Sequence, residues 1–321
     1  MCAPPRGRYT AAMPQNCAVV ALSVSPDEEA TRAVVDAVQR AGIPVDSPTW
    51  VRVTGTASDD QAADVEGYNA LSIPAEVEDV PALRRALQPD PQEQLVPGVD
   101  LDVVERRWMH HERRKLVVLD VDSTLVRQEV IELLAAHAGR EAEVAEVTGR
   151  AMRGEIDFEQ SLRERVAVLA GLPAEVIGDV AAAVRLSPGA QVLVRTLLKE
   201  GHAVAAVSGG FEQVLAPLAE TLELTRHAAN TLEVQDGVLT GRVTGPVVDG
   251  AAKARLVVEW AQELGVAPED VMVVGDGAND VPMARTAGLS VAYRAKPALR
   301  AVADTQLSLP NLDALRFFLD L

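Results

Sequence analysis

"KLVVLDVDST", residues 115–124, is an apolar run that ends in two aspartates one residue apart. Such a run reads as a buried strand, and its carboxylates must stand at the strand end, outside the sheet interior. Three later runs repeat the pattern: "HAVAAVSGG" (202–210), "VMVVGDG" (271–277) and "LSVAY" (289–293). Helical segments separate them. Strands alternating with helices predict a parallel, doubly wound α/β sheet. Between the first two strands lies a helical stretch, about residues 128–187, too long for a simple crossover. It is expected to be a helical cap inserted over the strand ends. "TLEVQDGVLTGRVTG" (231–245) reads as a hairpin turned at Asp236-Gly237.

Upstream the pattern differs. Residues 1–16 read as a disordered tail. Residues 17–105 follow the order β-α-β-β-α-β of a ferredoxin-like α+β domain. Its strands are "CAVVALSV", "WVRVTG", "YNALSI" and "VDLDVV"; its helices are "PDEEATRAVVDAVQRAG" and "PALRRALQ". Residues 106–114 read as a basic linker, with His110 and His111 solvated in it. The α/β domain then occupies residues 115–321.

Composition narrows the function classes. With 30 basic and 47 acidic residues the formal net charge is −17. Such a chain is a poor partner for nucleic acid or an anionic membrane, although a small anionic substrate needs only local positive charge. Cys2 and Cys17 cannot build a disulfide framework, and no Cys/His spacing suggests zinc. No signal peptide or membrane-spanning run is legible, so a cytoplasmic location is expected.

In open α/β sheets ligands bind at the carboxyl ends of the strands. "DVDST", "SGG" (208–210) and "GDGAND" (275–280) all fall at such ends. If strand geometry persists, Asp120 and Asp122 share one face, and Asp276 and Asp280 join them. Two carboxylates ~4 Å apart repel by about 4 kcal/mol at an effective dielectric near 20. Such a cluster needs a counter-charge or a shared proton. Oxygen-only ligands point to a hard cation, most simply Mg²⁺. Ser208 offers a hydroxyl, Gly209 and Gly210 let backbone N–H groups approach an anion, and Lys253 offers a compact positive charge. Taken singly, each aspartate reads as a turn residue or helix cap and Lys253 as a solvated helix lysine. "GDGAND" is not G-x-G-x-x-G, because Asp280 stands at the sixth position, and no P-loop motif is present.

"DVDST", "SGG", Lys253 and "GDGAND", in this order, resemble the four motifs of the haloacid dehalogenase superfamily of phosphohydrolases, over residues 115–294. Within it, "DVDSTLVRQEVIE", "AMRGEIDFEQSLRERV", "VSGGF" and "GDGANDVPM" are similar to the phosphoserine phosphatase family. The resemblance implies a Rossmann-like parallel sheet with an inserted helical cap and Mg²⁺-dependent hydrolysis of O-phospho-L-serine, the last step of serine biosynthesis. It implies Asp120 as nucleophile, forming an aspartyl-phosphate, and Asp122 as general acid and then base. Mg²⁺ would be held by Asp120, the Asp122 main-chain carbonyl and Asp276, with Asp280 in support. Ser208, Gly209 and Lys253 would hold the phosphoryl group. Gly210 and Asn279 would lie on the substrate side.

The cap is expected to read the serine part. Asp157 and Gln160 form a variant of the capping box before "SLRERV". At ~100° per residue from Phe158, Arg165 falls inside the apolar stripe with Leu162 and Leu169. An arginine there snorkels, finds an internal partner, or grips a ligand carboxylate. The family match gives Arg165 the last role and gives Glu129 the substrate ammonium. Helical phase alone puts Glu129 at the edge of a stripe formed by Val130, Leu134 and His137, with His137 packed. Met152 and Phe158 match positions that close the pocket. Residues 17–105 resemble the ACT-type modules attached to amino-acid enzymes. Their loop "SVSPDEEAT" lacks the glycine expected at an amino-acid ligand, so sensing, dimerisation and a structural role all stand open. The expected assembly is a homodimer.

Overall fold

The structure, a computed structural model, describes residues 16–54, 67–109 and 112–321, without the side chain of Met152. Residues 1–15 of the expected tail (1–16) and the linker histidines His110 and His111 lie outside the described residues.

The N-terminal region forms an antiparallel sheet from β1 (Cys17–Ser23), β2 (Val51–Val53), β3 (Tyr68–Ala75) and β4 (Asp100–Glu105), in the order β2-β3-β1-β4. Helices α1 (Glu28–Arg40) and α2 (Val80–Leu87) complete the ferredoxin-like order. Asp27 and Asp79 cap them, accepting from the N–H groups of Ala30 and Ala82. All seven residues of β1 are buried. Val19 and Ala21 face a core with α1 and α2. Val20 and Leu22 face the opposite way, into a core with Leu312, Leu315 and Phe318 of the C-terminal segment. A period of two thus lets one strand serve two cores.

The second sheet has seven strands in the order β11-β10-β9-β5-β6-β7-β8. They are β5 (Leu116–Leu119), β6 (Ala203–Phe211), β7 (Arg226–Gln235), β8 (Val238–Thr244), β9 (Val271–Gly275), β10 (Leu289–Tyr293) and β11 (Thr305–Leu307). All neighbours pair in parallel except β7 and β8. Those two form the expected hairpin, with Asp236 and Gly237 both at positive φ (52° and 80°), as its two-residue turn requires. Val117 and Leu119 of β5 pack towards α7 (Ala190–Lys199) and α8 (Glu212–Thr221). Leu116 and Val118 pack towards α9 (Gly250–Leu264). Cores on both faces make the sheet doubly wound. β11 was not read from the sequence.

Residues 128–187 are helical as expected, with α3 (Val130–Ala138), α4 (Glu141–Met152), α5 (Phe158–Ala167) and α6 (Glu175–Ala183). The stretch joins the sheet domain through a bridge between Val126 and Leu186. It is also tied to the β7–β8 hairpin. Gly171 N–H donates to the Leu239 carbonyl, and Leu239 N–H to that of Leu172, both at 2.8 Å.

Four local expectations need correction. His137 is exposed rather than packed; it sits in the last turn of α3 beside the exposed Ala136, on the side of the helix that turns to solvent. Glu129 is the N-cap residue of α3, not a residue on its surface stripe. Asp157 does cap α5, accepting from Gln160 N–H at 2.8 Å. The Gln160 amide instead donates to Glu164, so only half of the capping box forms. Finally, the segment after β4 is not a solvated linker throughout. Trp108 is buried, and Lys115 Nζ lies 5.2 Å from its ring centroid while donating to Asp270 at 2.8 Å.

Candidate active site

The parallel sheet brings the ends of β5, β6, β9 and β10 to one edge, and each end delivers chemistry. Asp120 follows β5 and stays in register, its N–H donating to the Val274 carbonyl at 2.8 Å. The chain then leaves strand geometry in a wide turn, in which Ser123 takes a left-handed conformation (φ 58°). Leu125 N–H closes the turn on the Asp120 carbonyl at 3.2 Å.

This turn separates the two aspartates. Asp120 Oδ1 accepts from Val121 N–H at 2.7 Å and from Lys253 Nζ at 2.6 Å. Asp122 Oδ1 accepts from Val130 N–H at 2.7 Å, and its Oδ2 from Ser208 Oγ at 2.9 Å. Of the four carboxylates expected to share one site, three therefore cluster. They are Asp120, Asp276 and Asp280, each with an oxygen within 4.8 Å of the others. All three are buried, and the Asp122 carboxylate stands outside the group.

Lys253 is the internal counter-charge. Asp249 caps α9 through Ala252 N–H (2.7 Å), which sets Lys253 in the first turn. Its fully buried ammonium reaches Asp120 Oδ1 and, at 2.8 Å, Asp280 Oδ1. Burial works against this charge; Asp120 and then Asp280 outweigh it, so the lysine pKa is raised. The Asp280 Oδ2 accepts from Asp276 N–H and Gly277 N–H, both at 3.1 Å, and so locks the "GDGAND" turn. Asn279 is half-buried beside it, its amide 3.5 Å from Asp280 Oδ1.

Burial pushes the Asp120 carboxyl well above its usual range, and repulsion from Asp280 adds to this. Asp276 is also raised, chiefly by burial. Asp122 is raised to about 6, first by burial and then by repulsion from Glu129. Its apolar setting includes Val126, Val130, Phe211, Val214 and Leu215.

The cap residues converge here unevenly. Glu129 accepts from Ser123 Oγ at 2.9 Å. Arg165 is half-buried, donates to the Ser161 carbonyl at 3.3 Å, and feels the charges of Glu129 and Asp122. Phe158 packs on Gly209: a β-carbon at that glycine would fall 2.7 Å from the ring. Gly210 N–H donates to Ser208 Oγ at 2.7 Å and is thereby committed within the loop. Met152 ends α4; its expected role in closing the pocket lies outside the described side chains.

Two residues were missed. Asn230, buried on β7, donates to the Gly209 carbonyl at 2.9 Å and accepts from Val248 N–H at 2.8 Å. It ties the glycine loop to the segment before α9. Lys296, after β10, lies 3.1 Å from Asp276 Oδ2. Its signal was available, since β10 ends at the same edge as the other motif strands.

An α/β fold with a helical cap and an acidic, lysine-bridged strand-edge site defines the class. The chain belongs to the haloacid dehalogenase-like hydrolase family, which matches residues 117–285. A curated relative, phosphoserine phosphatase of Streptomyces coelicolor, is 55% identical over 222 residues, 69% of this chain and 54% of the relative. The chain thus matches about half the length of that relative. Among solved structures, a phospho-aspartyl intermediate analogue of phosphoserine phosphatase superposes with TM-score 0.61 at 40% identity, covering 64% of this chain and 99% of that one. A HAD-family hydrolase of Salmonella enterica serovar Typhi gives TM-score 0.76 at 25% identity, covering 95% and 99%.

Proposed function

We propose that this protein hydrolyses O-phospho-L-serine to L-serine and phosphate through a phosphorylated Asp120. The observation that carries the reading is the division of the two neighbouring aspartates. Asp120 is bound to Lys253 inside the acidic triad, and Asp122 stands apart with its pKa raised to about 6. The names of the relatives support the same substrate.

Both described hydrogen bonds of the Asp120 side chain fall on Oδ1, which leaves Oδ2 for attack on phosphorus. The new Oδ2–P bond forms as the bond from phosphorus to the serine oxygen breaks. Protonated Asp122 gives its proton to that oxygen. The resulting Asp122 carboxylate then takes a proton from water as the water oxygen attacks phosphorus. The acyl phosphate breaks, Asp120 is restored, and phosphate leaves. A carboxyl with pKa near 6 is suited to both duties near neutral pH.

An anionic nucleophile and a phosphate dianion repel, so fixed positive charge is the main requirement. Lys253 supplies one charge, and Ser208 and Gly209 supply neutral donors at the phosphoryl side. The donor set of Asp120, Asp276 and Asp280 is all oxygen and mutually close, which fits a hard cation such as Mg²⁺; the family resemblance adds the Asp122 carbonyl. When bound, that ion supplies charge neutralisation at the phosphoryl oxygens.

The zwitterionic end of phosphoserine suits Glu129 and Arg165, opposite charges that both act on Asp122 or are acted on by it. Phe158, Met152, Gly210 and Asn279 complete the substrate side of this reading. We also read residues 17–105 as an ACT-like module, residues 115–321 as the phosphatase domain, and the assembly as a cytoplasmic homodimer. No helix among the described residues is long and apolar enough to cross a membrane.

The test is phosphate release, with and without Mg²⁺, from phosphoserine, phosphothreonine, phosphoethanolamine and 3-phosphoglycerate. Phosphoserine should be preferred and Asp120→Asn should be inactive. Equal turnover of phosphoethanolamine, which lacks the carboxylate, would remove the Arg165 assignment.

A further inference from the structure

Two lysines share the three clustered carboxylates, and they differ in freedom. Lys253 has a side chain 0% exposed and is held by Asp120 and Asp280. Lys296 has a side chain 56% exposed and contacts Asp276 alone among the three, 3.1 Å from Oδ2. Its position is fixed by backbone: Lys296 N–H donates to the Asp276 carbonyl at 2.7 Å. Its head group is not so fixed, because a lysine carries one compact charge on a flexible four-carbon stem.

The charges compete for one carboxylate. With all three aspartates ionised the cluster carries three negative charges, against one positive charge on each lysine. A divalent cation that takes Asp276 as a ligand competes with the Lys296 ammonium for the charge of the same carboxylate. It also repels that ammonium at short range. Lys253 is enclosed and cannot retreat, whereas Lys296 opens to solvent. Glu129 and Asp120 also act on Lys296, so the ammonium stays within the field of the site after leaving Asp276.

We propose that Lys296 is a displaceable counter-ion: it holds Asp276 while the cluster has no cation, gives way when a divalent cation binds, and thereby sets the cation affinity. The inference rests on the reading of Asp120, Asp276 and Asp280 as a cation site.

Its test needs no turnover. Mn²⁺ is titrated into the metal-free full chain, without substrate, and free Mn²⁺ is followed by electron paramagnetic resonance. Lys296→Met should bind Mn²⁺ about tenfold tighter than wild type, the half-exposed charge being partly screened. Lys296→Arg should stay near wild type. The rise in Tm on adding Mn²⁺ should be larger in Lys296→Met, because only its metal-free form has lost a partner for Asp276. If wild type takes up no divalent cation, the cation-site reading itself fails. If wild type binds Mn²⁺ and Lys296→Met binds with equal or weaker affinity, the displacement role is overturned. A Tm loss of equal size in both the metal-free and loaded forms also overturns it, since that is the mark of a purely structural ion pair.

Discussion

Lys253 Nζ and Asp120 Oδ1 lie 2.6 Å apart in an interior that excludes water from the lysine entirely, across 133 residues of chain. The pair is not a surface ion bridge. Removing one partner strands the other in a medium that disfavours charge.

Lys253→Met should therefore lower stability by about 3 kcal/mol in the metal-free protein, the low end of the loss for breaking a buried pair. Added Mg²⁺ should restore part of this, because a ligand of the folded state alone stabilises by mass action. Phosphate release should fall at least ~10²-fold, as for loss of a preorganised electrostatic group. Urea unfolding with and without Mg²⁺ checks the first two effects. Unchanged stability in the metal-free form would show that the buried contact gives no net stabilisation.

Asp122 gives a pH signature. Its folded pKa of about 6 lies above the ordinary carboxyl value of 3.8, through burial and then Glu129. The folded state thus binds this proton more tightly than the unfolded state. By linkage, the group's contribution is full in acid and is lost as pH rises from about 4 through about 6. Asp122→Asn should remove that slope, so the difference between the two proteins' urea midpoints should change across this window and stay flat above it. The same variant should lose ~10²–10⁴-fold in turnover as an acid–base group. A constant difference in midpoints from pH 4 to 7 would contradict the raised pKa.

How far the sequence could be read depends on which contacts are local. The runs at 115–124, 202–210 and 271–277 place their acids, serine and glycines at strand ends, because period and sheet type depend on neighbouring residues. The partition of Asp120 from Asp122 is not legible in the spacing, since it depends on the chain leaving strand geometry at Val121, directly after Asp120. Glu129 was misplaced for a related reason: spacing assigns it a helix face, whereas the helix begins one residue later. Asn230 is not legible because its partners, Gly209 and Val248, are distant in sequence, whereas Lys296 follows a strand whose end the other motifs already mark. The buried meeting of β4 with the 305–309 segment was equally invisible. Asp100 and Asp102 look like ordinary polar residues in "VDLDVV" until Gln306, Ser308 and Leu309 present their N–H groups.

Substitution of Arg165 tests the proposed division between substrate recognition and chemistry. Arg165→Ala should raise KM for phosphoserine by ~10²-fold, with a smaller effect on kcat, as expected for loss of a charged contact to the bound substrate. Phosphoethanolamine turnover should change little. Arg165→Lys should recover only part of the loss, because an ammonium cannot reproduce the planar two-pronged contact with a carboxylate. Steady-state kinetics on both substrates provides the check, and an equal loss on each would point to a packing role instead.

Asp102 offers a test of the contact between the two sheets. Its Oδ1 accepts from Gln306 N–H and Gln88 Nε2, both at 2.9 Å, while its buried Oδ2 has no hydrogen-bond partner among the described residues. Burial, then repulsion from Asp100, pushes its carboxyl well above the usual range. The ionised form is thus disfavoured in the folded protein, and the folded state loses stability from this group as pH rises above the unfolded pKa. Asp102→Asn keeps an acceptor for Gln306 and Gln88 but carries no charge. Its Tm relative to wild type should climb as pH increases from 4 to 8, with Asn the more stable at the alkaline end. Asp102→Ala should follow the same pH trend but lie below Asp102→Asn at every pH, by about 1–3 kcal/mol, because the Gln306 N–H is left buried without an acceptor. Melting both variants across this range decides the matter: a pH-independent loss in Asp102→Asn would mean that the folded protein holds Asp102 charged at no penalty.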